Sequence, residues 1–521
     1  MSSLNKVRKR ARNRKAPRLP GVQPKSARAS LPASPPAPPE PARRWKLASR
    51  AGLVALALAA GALLSFHAIY EPDLGWHLAQ GREIAAGHLA RTNLFSAAYP
   101  DFPQPFESWL FDFGSFELSK IGGAAAIQIG QAVLIALTLA IVYLACRRRS
   151  PAAVALAVAV FGVFLIEPRA VPRPHVISFV LGAACAFLIE RAVELRSVAP
   201  LAWAVPLIAL WSNVHAECFF GAGLIGLFAI GEFLRPQVLS RRQAWIALGI
   251  AALSTAACAA NPFGMGLFEY LWENALTPAF IPVAEFRPAY LPRYAPFFAY
   301  LACGVGLMLW KRRGLALWEM LVFGAFAILA LRHVRFVSLF LCVTAPVLAA
   351  RLPEVRRKSA AALLPAAAAL LAGMLLTPIP LKARVALAGI GPAYIDPPVF
   401  SPSGAAAFIR TAGLKGPVFN SVNLGGYLAW TSYPNVRVFH DTRFQSYPPR
   451  HFETTIAAFS SQEKWDRLMA GIDWAVLTLE RNTPLTGHGR FPSEQWAEAY
   501  RDGAIMIVVR RSGRFGALGN R

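Results

Sequence analysis

The sequence predicts an α-helical polytopic membrane protein with about 11 transmembrane helices, followed by a C-terminal soluble α/β domain. Three observations carry the prediction. Of 521 residues, 55% are hydrophobic and only 16% are charged, a balance displaced from the globular norm towards membrane proteins. Apolar runs long enough to cross a hydrocarbon core recur between residues 50 and 380. From residue 381 onward, charges, prolines and short apolar stretches are mixed instead.

Residues 1–49 come first and are expected to be a disordered, basic, Pro-rich cytoplasmic tail. Residues 1–50 hold fourteen Lys and Arg against Glu40 alone, half of the +26 net charge. With "LPASPPAPPEPA" among them, they lack the apolar surface to fold. The clustering removes the nucleic-acid reading that a high net charge invites: the tail orients the first span, with anionic lipid or an acidic partner as the alternative. "AGLVALALAAGALLSF" then reads as an uncleaved signal anchor, since "SFHAIYEP" offers no small-x-small cleavage site.

The expected spans are roughly 50 to 69, 122 to 145, 151 to 167, 175 to 190, 199 to 213, 217 to 234, 243 to 260, 295 to 310, 315 to 331, 334 to 350 and 359 to 379. With the tail cytoplasmic, "CRRRS", "ERAVELRS", "RPQVLSRRQ", "KRRG" and "RLPEVRRKS" all fall on the cytoplasmic side, as the positive-inside rule requires. The same parity sends every chemically interesting loop to the other face. These are the large first loop 70–121, "EPRAVPRPH", "WSNVHAE", residues 261–294 and "RHVRF". Ionisable side chains at the ends of apolar spans are costly unless they line a wet cavity or find partners, so their convergence on one face predicts a site.

Each residue also has a plainer reading. Arg169 and Arg173 could snorkel to the interface, His175 and His215 could be packed histidines, and Trp76 and Trp109 could be belt aromatics. Asn213 and Glu217 beside His215 suggest a polar pocket. Arg332, His333 and Arg335 are potential cations on the face depleted of positive charge, and look like an anion site. A carboxylate near an acceptor hydroxyl can act as general base while Arg and His neutralise a departing phosphate. Sugar transfer from a lipid phosphate requires that pairing, and an oxocarbenium-like centre attacked by a hydroxyl needs no second catalytic carboxylate.

"EPDLGWHLAQGREIAAGHLARTNLFS", "FESWL", "RPHVIS", "WSNVHAECFFGAGLIG" and "RHVRF" resemble the polytopic, polyprenyl-phosphate-sugar-dependent glycosyltransferases of the GT-C class, in a bacterial group with a C-terminal periplasmic domain. "GPVFNSVNLGGYLAWTSYPNVRVFHDTRFQSYP" is similar to the start of that domain, so the resemblance covers most of residues 51 to 510. It implies an inverting transferase in which an acidic residue of the first external loop is the base or helps hold a divalent metal. Here that residue is Asp73, with Glu71 as the alternative. By the same resemblance His77 and Glu107 are pocket residues, and Arg169, Arg173, His175, Arg332 and Arg335 meet the donor phosphate. The chain departs from the family pattern at "VHAECFFG", where glycines are expected after Asn-x-His; His215 stays a candidate.

In residues 381–521, strand-like "PVFNS", "VRVFHD", "WAVLTL" and "AIMIVVRR" alternate with helix-like "SGAAAFIRTAG", "GGYLAWTSY" and "SQEKWDRLMAG", the pattern of a small α/β layer domain. Gly425 and Gly426 could approach a phosphate, but without GxGxxG spacing a tight turn is the simpler reading. Asp441 and Arg443 follow a strand end, a usual site position in open α/β sheets; they would contact acceptor or pack against the membrane region. All six cysteines lie in or beside spans, so no disulfide is expected in the exported domain. The resulting expectation is an inner-membrane enzyme, C-terminal domain periplasmic, that moves sugar from a polyprenyl-phosphate carrier to an envelope glycan, lipid or protein. The alternative is a transporter or flippase of a lipid-linked anion, for which internal repeats would be the signal.

Overall fold

A computed structural model describes residues 54–55, 58–59, 71–104, 108–276, 284–353, 368–369, 372, 402–479 and 490–520. All of them belong to one compact unit, Leu53–Arg521. The basic tail expected over 1–49, Glu107, and nearly all of the spans expected at 50 to 69 and 359 to 379 lie outside the described residues.

The described apolar segments are helices. After α1 (Asp73–Ala85) come α2 (Trp109–Cys146), α3 (Ala152–Ile166), α4 (His175–Leu195), α5 (Ala204–Ser212), α6 (Cys218–Leu234), α7 (Arg241–Ala257), α8 (Gly266–Leu276), α9 (Ala295–Trp310), α10 (Leu317–Arg332) and α11 (Val337–Ala349). Among the described residues, three segments are long and apolar enough to cross a membrane: Trp109–Cys146, Ala152–Arg169 and His175–Leu195. Shorter apolar helices occupy Ala199–Ser212, Cys218–Leu234, Ala295–Trp310 and Val334–Ala349. Hydropathy marks apolar stretches, whereas crossing also takes length: at about 1.5 Å per residue these shorter helices rise only about 21 to 26 Å against a core of about 30 Å.

Helix α2 runs the other way, to 38 residues. It breaks at Gly122 and Gly123, where Gly123 adopts φ 59° and ψ −146°, a conformation essentially reserved for glycine. The break separates a polar head at 109–121, bearing Asp112, Glu117 and Lys120, from the apolar stretch that follows. Only the latter carries the hydropathy signal.

The helices pack around aromatic contacts. Phe340 of α11 meets Phe297 and Tyr300 of α9 and Phe323 of α10 edge-on, and a Cβ on Gly231 of α6 would come within 2.5 Å of the Trp318 backbone of α10, the close approach that small residues permit. One end is held by charge. Arg149, between α2 and α3, donates to both oxygens of Glu190 at 2.6 and 2.7 Å and to Glu319 at 2.6 Å. Arg351 pairs with the same Glu319. Both carboxylates are buried, where ions persist only when paired. The polar loops gather at the other end, since α3 starts beside Arg149 and finishes beside Arg169.

The C-terminal part contains α12 (Ser403–Thr411), β1 (Gly416–Asn420), α13 (Gly425–Ser432), β2 (Val436–Val438), α14 (Pro449–Ala458), α15 (Gln462–Leu468), β3 (Trp474–Thr478), β4 (Trp496–Arg501) and β5 (Ile505–Arg510). They form a mixed five-stranded sheet of order β2-β1-β3-β5-β4. β1 lies parallel to β2 and β3, and β5 lies antiparallel to β3 and β4. β3 is buried along its whole length, which is why it reads as an unbroken apolar run. The first loop closes the sheet's edge: Ala97 N–H donates to the Val438 carbonyl at 2.8 Å and Val438 N–H to the Phe95 carbonyl at 3.0 Å. Edge strands are commonly covered in this way. Ala79 and Phe95 are thereby built into the core of the sheet region, beside Leu428 and Val438.

Candidate active site

Helix α1 starts where the sequence places its carboxylates. Glu71 Oε1 accepts the Asp73 backbone N–H at 3.1 Å, satisfying one of the unpaired donors of the first turn, while Asp73 in that turn faces the positive end of the helix dipole. Gly75, two residues on, lets α1 touch α13. A Cβ there would lie 2.4 Å from the Gly426 carbonyl carbon. Further along the same face, Arg82 donates to the Trp430 carbonyl at 2.8 Å and completes the C-terminal end of α13. His77 turns inward, its Nδ1 2.6 Å from Asp112 Oδ1 in the head of α2.

The turn between α3 and α4 supplies the cations. Pro172 and Pro174 confine the backbone around Arg173, and His175 opens α4, fully buried. Its Nε2 is 2.8 Å from the Arg169 carbonyl and its Nδ1 is 3.2 Å from the Arg169 guanidinium. A guanidinium only donates, so Nδ1 accepts and Nε2–H donates. Held in this way, His175 orients the Arg169 guanidinium.

Arg173 is the hub. It contacts Asp73 Oδ2 and Glu285, and its Nε lies 3.4 Å from Glu71. Arg169 reaches the same Glu285 at 2.8 Å. A second group adjoins the first: Arg335 lies 3.4 Å from Glu217, over the rings of Phe286 and Phe336, and His215 Nδ1 lies 2.9 Å from Ser178 Oγ and 3.4 Å from Glu217. Burial works to raise the Glu285 carboxyl, but Arg173, Arg169 and Arg335 outweigh it and hold it below the carboxylate range. Glu217 is likewise held at about 2, where burial is overcome by His215 and Arg335. Glu71 goes up instead, because burial outweighs its partner Arg173. Burial drives His77 down to about 3 against the pull of Glu71.

The sheet region closes the site from the far side. The Thr442 hydroxyl donates to Asp73 Oδ1. Asp441 and Arg443 on either side are buried. Arg443 grips Asp441 Oδ2 at 2.7 Å, Asn93 at 2.8 Å and Gln104 at 3.2 Å. Both residues thus pack against the first loop. The Gly425-Gly426 pair serves the same junction: a Cβ on Gly425 would lie 2.2 Å from the His440 carbonyl, and one on Gly426 2.8 Å from that of Pro72. Close backbone approach accounts for both glycines.

The structure therefore brings together Glu71, Asp73, Arg169, Arg173, His175, His215 and Arg335, with His77 beneath them. Arg332 stands apart, exposed and without an ion pair among the described residues. Glu285, Thr442 and Asp112 enter the network without a sequence signal. Only the position of Glu285, in a loop assigned to the arginine-bearing face, could have pointed to it. Among the described residues no group of three or more His, Cys, Asp or Glu is placed to hold a metal ion.

No protein-family model matches the chain, and no curated protein matches it. Solved structures do. The chain is similar to the oligosaccharyltransferase of Archaeoglobus fulgidus in its apo form (TM-score 0.53, 14% identity, 82% of this chain and 70% of that one). It is similar to the same archaeal enzyme, AglB, in complex with an inhibitory peptide and a dolichol-phosphate (TM-score 0.56, 14% identity, 82% and 69%). A third structure of that enzyme, tethered to an acceptor peptide containing the NVT sequon, gives TM-score 0.55 at 14% identity over 82% and 69%. At this identity the likeness is one of fold, and the chain has a GT-C-like fold of helices joined to a mixed-sheet domain.

Proposed function

We propose that this chain is a membrane glycosyltransferase that moves a sugar from a polyprenyl-phosphate carrier to an envelope acceptor, with Asp73 as general base. The observation that carries the proposal is the hub at Arg173, where Asp73 and Glu71 meet the guanidinium at the end of the apolar helices. The GT-C-like fold supports the same reading, as do neighbours that bind a dolichol-phosphate and an acceptor peptide. Among the acceptor classes, those neighbours favour protein over glycan or lipid. In the proposed topology the multi-pass protein lies in a bacterial inner membrane, the tail of residues 1–49 is cytoplasmic, and the domain over 381–521 is periplasmic.

The proposed chemistry follows from the pairings. Arg173 is already shared among three carboxylates, and in the proposed order an arriving phosphate takes the place of Asp73 on the guanidinium. Displacing Asp73 leaves its Oδ2 free beside the acceptor. The acceptor oxygen or nitrogen then attacks the anomeric carbon, its proton passes to Asp73, and the bond from that carbon to the carrier phosphate breaks. Arg173, Arg169 and Arg335 balance the charge left on the phosphate. The test is sugar transfer by purified protein in lipid, supplied with radiolabelled polyprenyl-phosphate sugars and envelope extract. Transfer with wild type and a loss of at least about 100-fold with Asp73→Asn is expected. Label that crosses the bilayer still on its carrier, equally in both proteins, would instead identify a transporter.

A further inference from the structure

Resting on the reading of Asp73 as base, we infer that Thr442, a residue of the sheet region, is a positioning residue for the Asp73 carboxylate, so that the C-terminal domain completes the active site. The two oxygens of Asp73 have different holders. Oδ2 contacts Arg173 from the turn between α3 and α4, and Oδ1 accepts the Thr442 hydroxyl. When a phosphate takes Arg173, the first holder is lost. Thr442 is then the group that keeps the carboxylate from rotating or following the guanidinium, and Oδ2 keeps its lone pairs for the incoming proton.

Thr442 is built to stay in place. Asp441 Oδ1 accepts the Arg443 backbone N–H at 2.8 Å across it, an Asx turn that fixes the local backbone. Asp441 Oδ2 also accepts from the Tyr447 hydroxyl at 3.2 Å. Arg443 is anchored to Asn93 and Gln104 of the first loop, the loop that itself leads on from α1. The β-branched side chain restricts its own rotation. A buried ion pair whose two members flank one half-buried threonine would be a costly way to fill space; the same arrangement is an efficient way to present one hydroxyl to one carboxylate.

The test compares T442V, which keeps the shape and removes the hydroxyl, with T442S, which keeps the hydroxyl, in the transfer assay above. Expected is a fall in kcat of about 10- to 100-fold for T442V, the range for losing a hydrogen bond to a charged group, with KM for the donor changed less than about threefold. T442S should restore kcat to within about threefold of wild type. In an Asp73→Asn background T442V should cost nothing further, because it acts through Asp73. If T442V fails to insert, T442A is read in the same way. T442V at wild-type kcat alongside an inactive Asp73→Asn would overturn the inference and leave the base standing. An active Asp73→Asn would overturn the base itself. An equal loss in T442V and T442S would show a structural role and also overturn the inference.

Discussion

Replacing Gly75 by alanine tests whether the seat of the sheet region on α1 is as tight as its geometry indicates. The added Cβ would meet three backbone atoms of α13: Gly426 C at 2.4 Å, Tyr427 N at 2.5 Å and Gly426 O at 2.6 Å. Ordinary contacts of a Cβ begin near 3.4 Å, so the helices must part by about 1 Å, and no side chain is there to swing aside. Overpacking of this kind costs about 1 to 3 kcal/mol. The effect on rate should be larger. Thr442 rides on the sheet region and Asp73 on α1, so parting the helices withdraws one from the other, and a misplacement of about 1 Å can cost about 100-fold. The control is Gly114→Ala in the head of α2, where nothing lies within 4 Å of the new atom and alanine favours the helix by roughly 1 kcal/mol. Melting in detergent and transfer rate are measured for both. G75A is expected to lose at least about tenfold in rate and G114A to lose nothing. If G75A melts and transfers like wild type, the tight docking of α1 on α13 is wrong, and with it the route by which Thr442 reaches Asp73.

Three further substitutions probe the charges. Arg149→Ala leaves the buried Glu190 and Glu319 without their shared partner and should cost about 3 to 5 kcal/mol, read as a fall in detergent melting temperature; an unchanged melt would refute the buried network. Arg173→Ala should lower transfer at least about 100-fold, whereas the exposed Arg332→Ala should stay within about threefold. Equal losses in the two would mean that Arg332 also meets the phosphate.

Much of this arrangement is legible in the sequence because it is local. Glu71 and Asp73 lie at the start of one helix, Arg169 to His175 lie within one proline-framed turn, and β1, β2, β3 and β5 each coincide with a β-branched or aromatic run. β4 is missed because in "WAEAYR" two alanines and a glutamate, residues depleted in strands, separate Trp496 from Tyr500 and leave no apolar alternation. α14 is missed because prolines and a histidine hide its start. The partners Glu285 and Thr442 are missed for a different reason. They lie 212 and 369 residues from Asp73 in the chain, and no periodicity or spacing reports a contact of that kind. Arg332, at the end of α10, is exposed and joins none of these pairs among the described residues.

The division of labour between the two regions has a physical logic. A carboxylate held only by arginines would be a poor base, since each guanidinium that orients it also stabilises its charged form. It would also be dragged along when those arginines turn to a phosphate. Holding the second oxygen with a neutral hydroxyl from the sheet region would separate orientation from charge. The covered sheet edge, the Gly75–Gly426 contact and the Arg443 clamp all serve to fix where that hydroxyl stands. On this account the sheet region is tied to the first loop by buried contacts because a catalytic distance depends on them. A domain that only recognised acceptor would need no such rigid seat beside Asp73.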